Sequence, residues 1–245
     1  MAATISAEAI KVRSTRTVTR LVAAMAALVG TVVALHGVAL DESRLTGADA
    51  QLSMLIGWGA LLGPLFAGLA AIVSYTVELR HRTIAATLLA TPRRADLVIA
   101  KATVGAVTGV VFGAAATVAA VISGEAVLVA RGITSALGAG DIVQFIVGGT
   151  VAGGLWALVG LGIGIAIRDQ LVAGAGLAAW TLFVEGILVD TVPAIGRAAP
   201  GALARGLAGV HADTLAGPAL ATAGLAAYAA AGLAAALVLI GRDHA

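Results

Sequence analysis

The sequence predicts an all-α membrane protein with six transmembrane helices, and three observations carry that reading. Of the 245 residues, 60% are hydrophobic and 11% charged, against about 25% charged in an ordinary soluble domain, and the mean hydropathy is +1.04. Six stretches approach the roughly 20 apolar residues that a helix needs to cross a hydrocarbon core about 30 Å thick. The apolar residues also run unbroken, as in LVAAMAALVGTVVAL from Leu21 to Leu35. Strands of a membrane barrel alternate instead, in segments of about 10 residues, whereas a helix satisfies its own backbone in lipid.

The first twenty residues, MAATISAEAIKVRSTRTVTR, read as a helix with Ile5, Ala9, Val12 and Arg16 on one side and Glu8, Lys11 and Arg13 elsewhere. Such a basic segment is expected to lie in the membrane interface against anionic headgroups; a basic tail that merely fixes topology is the plainer alternative. The first span is predicted over 21–40. Its apolar run exceeds the 7–15 residues or so of a signal-peptide core and follows a twenty-residue leader, so it is expected to remain uncleaved. The remaining spans are predicted over 52–77, 97–122, 142–167, 171–190 and 215–240. Only Arg168, Asp169 and Gln170 separate the fourth from the fifth, which calls for a tight helical hairpin. These spans use most of the chain, so residues 1–245 form a single transmembrane domain with no room for a separate soluble one.

Orientation follows from the basic residues. With a cytoplasmic N-terminus, eleven of the fifteen Lys and Arg fall inside and four, Arg44, Arg131, Arg197 and Arg205, fall outside. Both termini are therefore expected in the cytoplasm, and the chain is expected in the cell membrane, of the bacterial plasma-membrane kind. The basic balance needs no nucleic-acid partner, since no basic patch interleaved with aromatics is present. With no cysteine, the sequence is silent on redox compartment.

Between the second and third spans the charge is concentrated, in SYTVELRHRTIAATLLATPRRADLVIAK from Ser74 to Lys101. Glu78, Arg80, His81 and Arg82 form a polar start, and Ile84, Leu88 and Leu89 recur at helical spacing, which predicts a short amphipathic helix just outside the bilayer. Pro92 disfavours a helical Thr91 but suits the first turn of a new helix with Thr91 as its N-cap. Lys101 then falls within the first turns of the third span, where its long stem is expected to let the ammonium snorkel to the cytoplasmic face. So many charges on a short surface helix suit docking to a partner; the alternative is that Arg80, Arg82, Arg93 and Arg94 only fix topology on lipid headgroups.

Other chemistry is missing. Neither Lys11 nor Lys101 follows the glycines of a phosphate-binding Gly-x-x-x-x-Gly-Lys loop, so ATP, if used, must be bound by another polypeptide. His36, His81, His211 and His244 are scattered without a His-Glu-x-x-His zinc pattern, and no metal or cofactor is expected on this chain. Intramembrane carboxylates are functional candidates by default. Glu125, Glu185 and Asp190 lie toward the outer ends of their spans, where Arg131 or Arg197 is expected to partner them, as a candidate extracellular gate or as ordinary interfacial residues. Gly59 with Gly63, Gly105 with Gly109 and Gly113, and Gly160 with Gly164 have the spacing of close helix packing, little beyond what 32 glycines supply by composition.

One pattern is more specific. Glu78-x-Arg80-x-x-Thr83-Ile84, followed by Thr87-Leu88-Leu89-x-Thr91-Pro92-x-Arg94 and Lys101, resembles the permease subunits of the ABC type 2 exporter family. Glu8-x-x-Lys11-x-Arg13-Ser14 is similar to that family's interfacial helix. Arg168-Asp169-Gln170, Trp180 and Val184-Glu185 resemble the fourth-to-fifth hairpin and fifth span of actinobacterial-type members, and the stretch from Pro193 to Pro200 and the closing Gly241-Arg242-Asp243 also resemble the family. The resemblance implies that 78–94 is a cytoplasmic coupling segment resting on a separate P-loop ATPase, through Glu78, Arg80, Arg82, Thr83, Thr87, Leu88, Thr91, Pro92, Arg93 and Arg94. It implies two ATPase subunits that bind ATP and Mg, a second copy of the permease or a close paralogue, and a lipid environment. It also implies that 191–215, too apolar for a free external loop, punctuated by Pro193 and Pro200 and followed by Pro218, is a re-entrant extracellular hairpin. The activity implied is efflux of a hydrophobic or amphiphilic substrate such as a drug, antibiotic or lipid-like molecule. The rivals are a secondary carrier or channel without an ATPase, for which no internal repeat is found, and a membrane-embedded immunity or scaffold protein.

Overall fold

The computed structural model describes residues 1–14, 16–81, 94–210 and 215–242, and no strand occurs among them. In chain order the helices are α1 (Ala2–Ser14), α2 (Thr17–Ala39), α3 (Ala48–Arg80), α4 (Arg94–Ala130), α5 (Ala139–Ile167), α6 (Gln170–Thr191), α7 (Pro193–Gly196), α8 (Pro200–Leu207) and α9 (Pro218–Arg242). Six of them, α2, α3, α4, α5, α6 and α9, are long and apolar enough to cross a membrane. They coincide with the six predicted spans, and their even number returns the chain to the side on which it starts. That side is the terminal side below; the other is the distal side.

The helices overrun the apolar stretches that mark them. α4 has 37 residues, about 55 Å at 1.5 Å per residue, so it projects well beyond a core of about 30 Å. Backbone hydrogen bonding carries the helix through the polar Arg94 and Asp96 at its start and past Ser123 and Glu125 into the apolar residues 126–130 at its end. The short amphipathic helix predicted after His81 and the break at Thr91 and Pro92 lie outside the described residues.

The centre of the bundle is α3, α4 and α5. In their most apolar windows α3 and α5 are 67% and 61% buried, while the outer helices α2, α6 and α9 reach only 22% to 28%. Small residues let the inner helices touch. Gly109 and Gly113 of α4 lie against Gly153 and Gly149 of α5, and Gly160 of α5 lies against Gly68 of α3; a Cβ at any of these would run into the facing helix. In lipid, where apolar surface gains nothing by leaving solvent, such close backbone approach is what holds helices together. Trp156, Phe112 and Phe145 fill the remaining volume and are fully buried.

Between α5 and α6 the expected hairpin is present. Arg168 takes the left-handed conformation at φ 61°, and the Asp169 carboxylate accepts from the Val172 amide at 2.8 Å, capping α6. On the distal side Pro193 and Pro200 each open a helix, as their missing N–H allows.

Candidate functional site

Four side chains form a closed ionic ring on the terminal side. Lys101 Nζ donates to Glu8 Oε2 at 2.9 Å and to Glu78 Oε1 at 2.8 Å. Lys11 Nζ donates to Glu78 Oε1 at 2.9 Å and to Glu8 Oε1 at 2.5 Å. Glu8, Glu78 and Lys101 are buried and Lys11 closes the ring from the solvent edge. Two cations alternate with two anions, so the desolvation that makes a lone buried charge expensive is offset within the set.

The four members come from three separate helices. Glu8 and Lys11 stand one turn apart on α1, Glu78 lies in the last turn of α3, and Lys101 lies in the second turn of α4. The ring thus ties α1 to both helices that bracket the segment between His81 and Arg94. Two contacts reinforce the bracket: Arg94 Nη1 donates to the Ile240 carbonyl at 2.8 Å, fastening the start of α4 to the end of α9, and the N-terminal ammonium lies 3.8 Å from Asp96.

The ring corrects two expectations. Lys101 does not snorkel: its side chain is turned inward because two carboxylates await it, a better solution than stretching toward water. Glu8 does not stand apart from the packed side of α1 but lies on it, between Ile5, Ala9 and Val12, and is the one residue of α1 that is buried. The electrostatics follow. Burial raises the Glu8 pKa, but the Lys101 and Lys11 ammoniums outweigh that and hold it below its ordinary 4.5. Burial likewise lowers the Lys11 pKa, and hydrogen bonds to Glu8 and Glu78 outweigh it, so Lys11 titrates above 10.5.

Of the ten residues of the expected coupling segment, three are described. Glu78 is in the ring, Arg94 holds α9, and Arg80 lines a cavity of about 830 Å³ between α3 and α6, with Ile72, Thr76, Arg168, Gln170 and Gly174. Arg82, Thr83, Thr87, Leu88, Thr91, Pro92 and Arg93 lie outside the described residues. The matching family model is that of the ABC-2 family transporter proteins, over residues 4–178. The chain belongs to this family. No curated protein matches it closely enough to count as a relative. The ABC-2 match spans the whole ring and both helices around the 78–94 segment, and ends within α6, short of the distal helices.

As an ABC-2 transporter protein the chain is a multi-pass membrane transport component, and its distal side is organised differently. Glu185 follows a π-helical turn, Trp180–Val184, whose extra residue shifts the helical register. Glu185 and Val189 then face inward while Phe183 and Ile187 face out. Glu185 is 1% exposed; its Oε2 accepts from the Ala202 amide at 3.1 Å, in the first turn of α8, and Trp180 and Arg205 are its side-chain neighbours. α8 is held to α5 at both ends, by Trp156 Nε1 donating to the Pro200 carbonyl at 3.3 Å and by Gln144 Nε2 donating to the Leu207 carbonyl at 2.8 Å.

The expected partners of the outer carboxylates are engaged elsewhere. Arg131 Nη1 donates to the Gly37 and Leu40 carbonyls, both at 2.6 Å, capping α2. Arg197 Nε donates to the Pro193 carbonyl at 3.1 Å. Glu125 accepts instead from Ser135 at 2.7 Å, and Asp190 is exposed. Glu125, Glu185 and Asp190 therefore do not form one cluster; Glu185 alone is buried. Gln51, which the sequence did not single out, is fully buried: it donates to the Leu45 and Thr134 carbonyls at 2.8 and 3.1 Å and accepts from the Ala136 amide at 2.8 Å, knitting two distal loops together.

Proposed function

We propose that this chain is the permease subunit of an ATP-driven exporter, and that segment 78–94 is where a separate P-loop ATPase pushes. Two ATPase subunits would bind the ATP and Mg, and two permeases, identical or paralogous, would enclose the pathway. Both termini and the 78–94 segment then lie in the cytoplasm of the cell whose membrane holds the complex. The observation that carries the reading is the ionic ring. It joins α1 to the end of α3 and the start of α4, the two helices from which the segment hangs. A displacement of the segment is then passed to three helices together, and through the close glycine contacts of α4 with α5 to the centre of the bundle. A lone surface helix that only fixed topology would not call for three charges to be buried behind it.

The cargo we propose is hydrophobic or amphiphilic. The cavity between α3 and α6 supports this: leucine, isoleucine and glycine form its wall, with Arg80, Arg168 and Asp169 at its terminal-side mouth, a combination that accepts an apolar body with a polar end. On the distal side we propose that residues 191–215 re-enter the membrane as a cap over the pathway. Glu185, through its bond to the first turn of α8, would be the hinge pin of that cap, with Glu125 and Asp190 at its solvent-reached edges.

The test is transport of a labelled amphiphile in proteoliposomes holding the permease with its ATPase. Leu88→Asp or Arg82→Glu is expected to abolish ATP-dependent transport while leaving helicity, oligomeric state and membrane insertion unchanged. Transport that survives both changes, or that runs without ATP, would remove the coupling role of the segment.

A further inference from the structure

A second apolar groove lies on the distal half of the molecule, between the α7–α8 segment and α9. Its volume is about 540 Å³, and Arg197, Ala198, Leu203, Leu220, Ala227 and Tyr228 line it. Along α9 it runs from Leu220 to Ala231, about 16 Å at 1.5 Å per residue. That is close to half of a hydrocarbon core of roughly 30 Å, the depth of one leaflet. The α9 face that forms it is open, with Leu220 68% and Tyr228 44% exposed, and α9 is one of the peripheral spanning helices, so the groove opens to lipid.

Arg197 is the one charged residue among the described lining. Its Nε is bonded to the Pro193 carbonyl, one turn back toward the end of α6, and this orients the exposed guanidinium. Among the described residues its two terminal nitrogens have no hydrogen-bond partner. An oriented guanidinium with a free edge matches a phosphate, which it can bind through two parallel N–H bonds. We propose that this groove is a binding site for one anionic phospholipid of the distal leaflet, with the headgroup phosphate on Arg197 and an acyl chain laid along α9 against the small side chains of Ala198, Ala227 and Ala231. The occupant has to be apolar over about one leaflet's depth; phosphatidylcholine also carries a phosphate, but only a lipid of net negative charge balances Arg197, the one charge in the described lining. The proposal rests on the six-span membrane reading and is independent of ATPase coupling.

The test places the purified full-length chain in nanodiscs of equimolar phosphatidylglycerol and phosphatidylcholine with the same acyl chains. After transfer to mild detergent, the lipids retained per chain are counted by native mass spectrometry. Wild type is expected to keep one phosphatidylglycerol, favoured over phosphatidylcholine about fivefold, the preference one basic residue gives. Arg197→Gln is expected to erase the preference. Ala227→Phe and, separately, Ala231→Phe fill the groove from an exposed position and are expected to release the lipid without altering helicity. Equal retention of both lipids by wild type, or retention unaffected by either filled groove, overturns the proposal. So does a filled groove that changes the oligomeric state while leaving lipid retention as it was, which would assign the groove to a second copy of the chain.

Discussion

The terminal and distal sides of the molecule bury polar groups by opposite means. On the terminal side the partners are side chains from three separate helices, and charge meets charge in the ring of Glu8, Lys11, Glu78 and Lys101. On the distal side Gln51, Arg131, Gln144, Trp156 and Glu185 each bind backbone groups of a nearby loop or helix end. Side-chain to backbone bonds hold a loop in one shape. A ring of charges instead joins whole helices and leaves each of them straight, and it fails as a unit if one member is lost. The first arrangement suits a rigid cap, the second a joint through which force is passed.

The contrast can be broken most severely at Lys101. Lys101→Met leaves Glu8 and Glu78 facing each other without their buried cation, a cost of about 3–5 kcal/mol, seen as a large drop in the thermal unfolding midpoint in detergent. Adding Glu8→Gln and Glu78→Gln to that variant is expected to recover most of the loss, since what destabilises is the unpaired charge. Gln51→Leu comes next: it orphans two carbonyls and an amide at the distal loops, for about 2–3 kcal/mol, and should loosen those loops in hydrogen exchange while leaving α1 protected. Glu185→Leu is expected to cost about 1–2 kcal/mol and to deprotect α8, whereas Glu185→Gln, which still offers the Ala202 amide an oxygen, costs less.

The smallest effect is a pH dependence of the terminal side. The Glu8 pKa lies below 4.5 in the folded chain, so its contribution is complete above 4.5 and is lost as pH falls through the lowered value. The Lys11 pKa lies above 10.5, so its contribution is complete below 10.5 and is lost as pH rises through the raised value. Docking of α1, followed by a fluorescent probe at Ser6, should therefore be flat from about pH 5 to 10 and weaken at both extremes. Glu8→Gln should remove the acidic limb alone.

What the sequence made legible divides along the same line. The six spans and the turn at Arg168 and Asp169 are local signals, written in hydropathy and backbone chemistry within a few residues. The ring is not local: Lys101 meets Glu8 from 93 positions away. A charged residue on an apolar stripe also reads as an interruption, so the pattern of α1 put Glu8 on the wrong side. Glu185 was recognisable as an intramembrane carboxylate, yet the Ala202 amide it accepts from and the Arg205 beside it belong to α8, which no local pattern ties to it. Gln51 gave no signal, because a buried glutamine is distinguished only by the three backbone groups around it.

The central claim is that segment 78–94 is a handle for a separate ATPase, and the most direct measurement is gentle purification of the tagged full-length chain from its native membranes with identification of what accompanies it. A stoichiometric P-loop ATPase is expected in the wild-type preparation, absent when Leu88→Asp or Arg82→Glu is introduced into an otherwise intact permease. Recovery of the chain without any ATPase, in a detergent that preserves known transporter complexes, would contradict it.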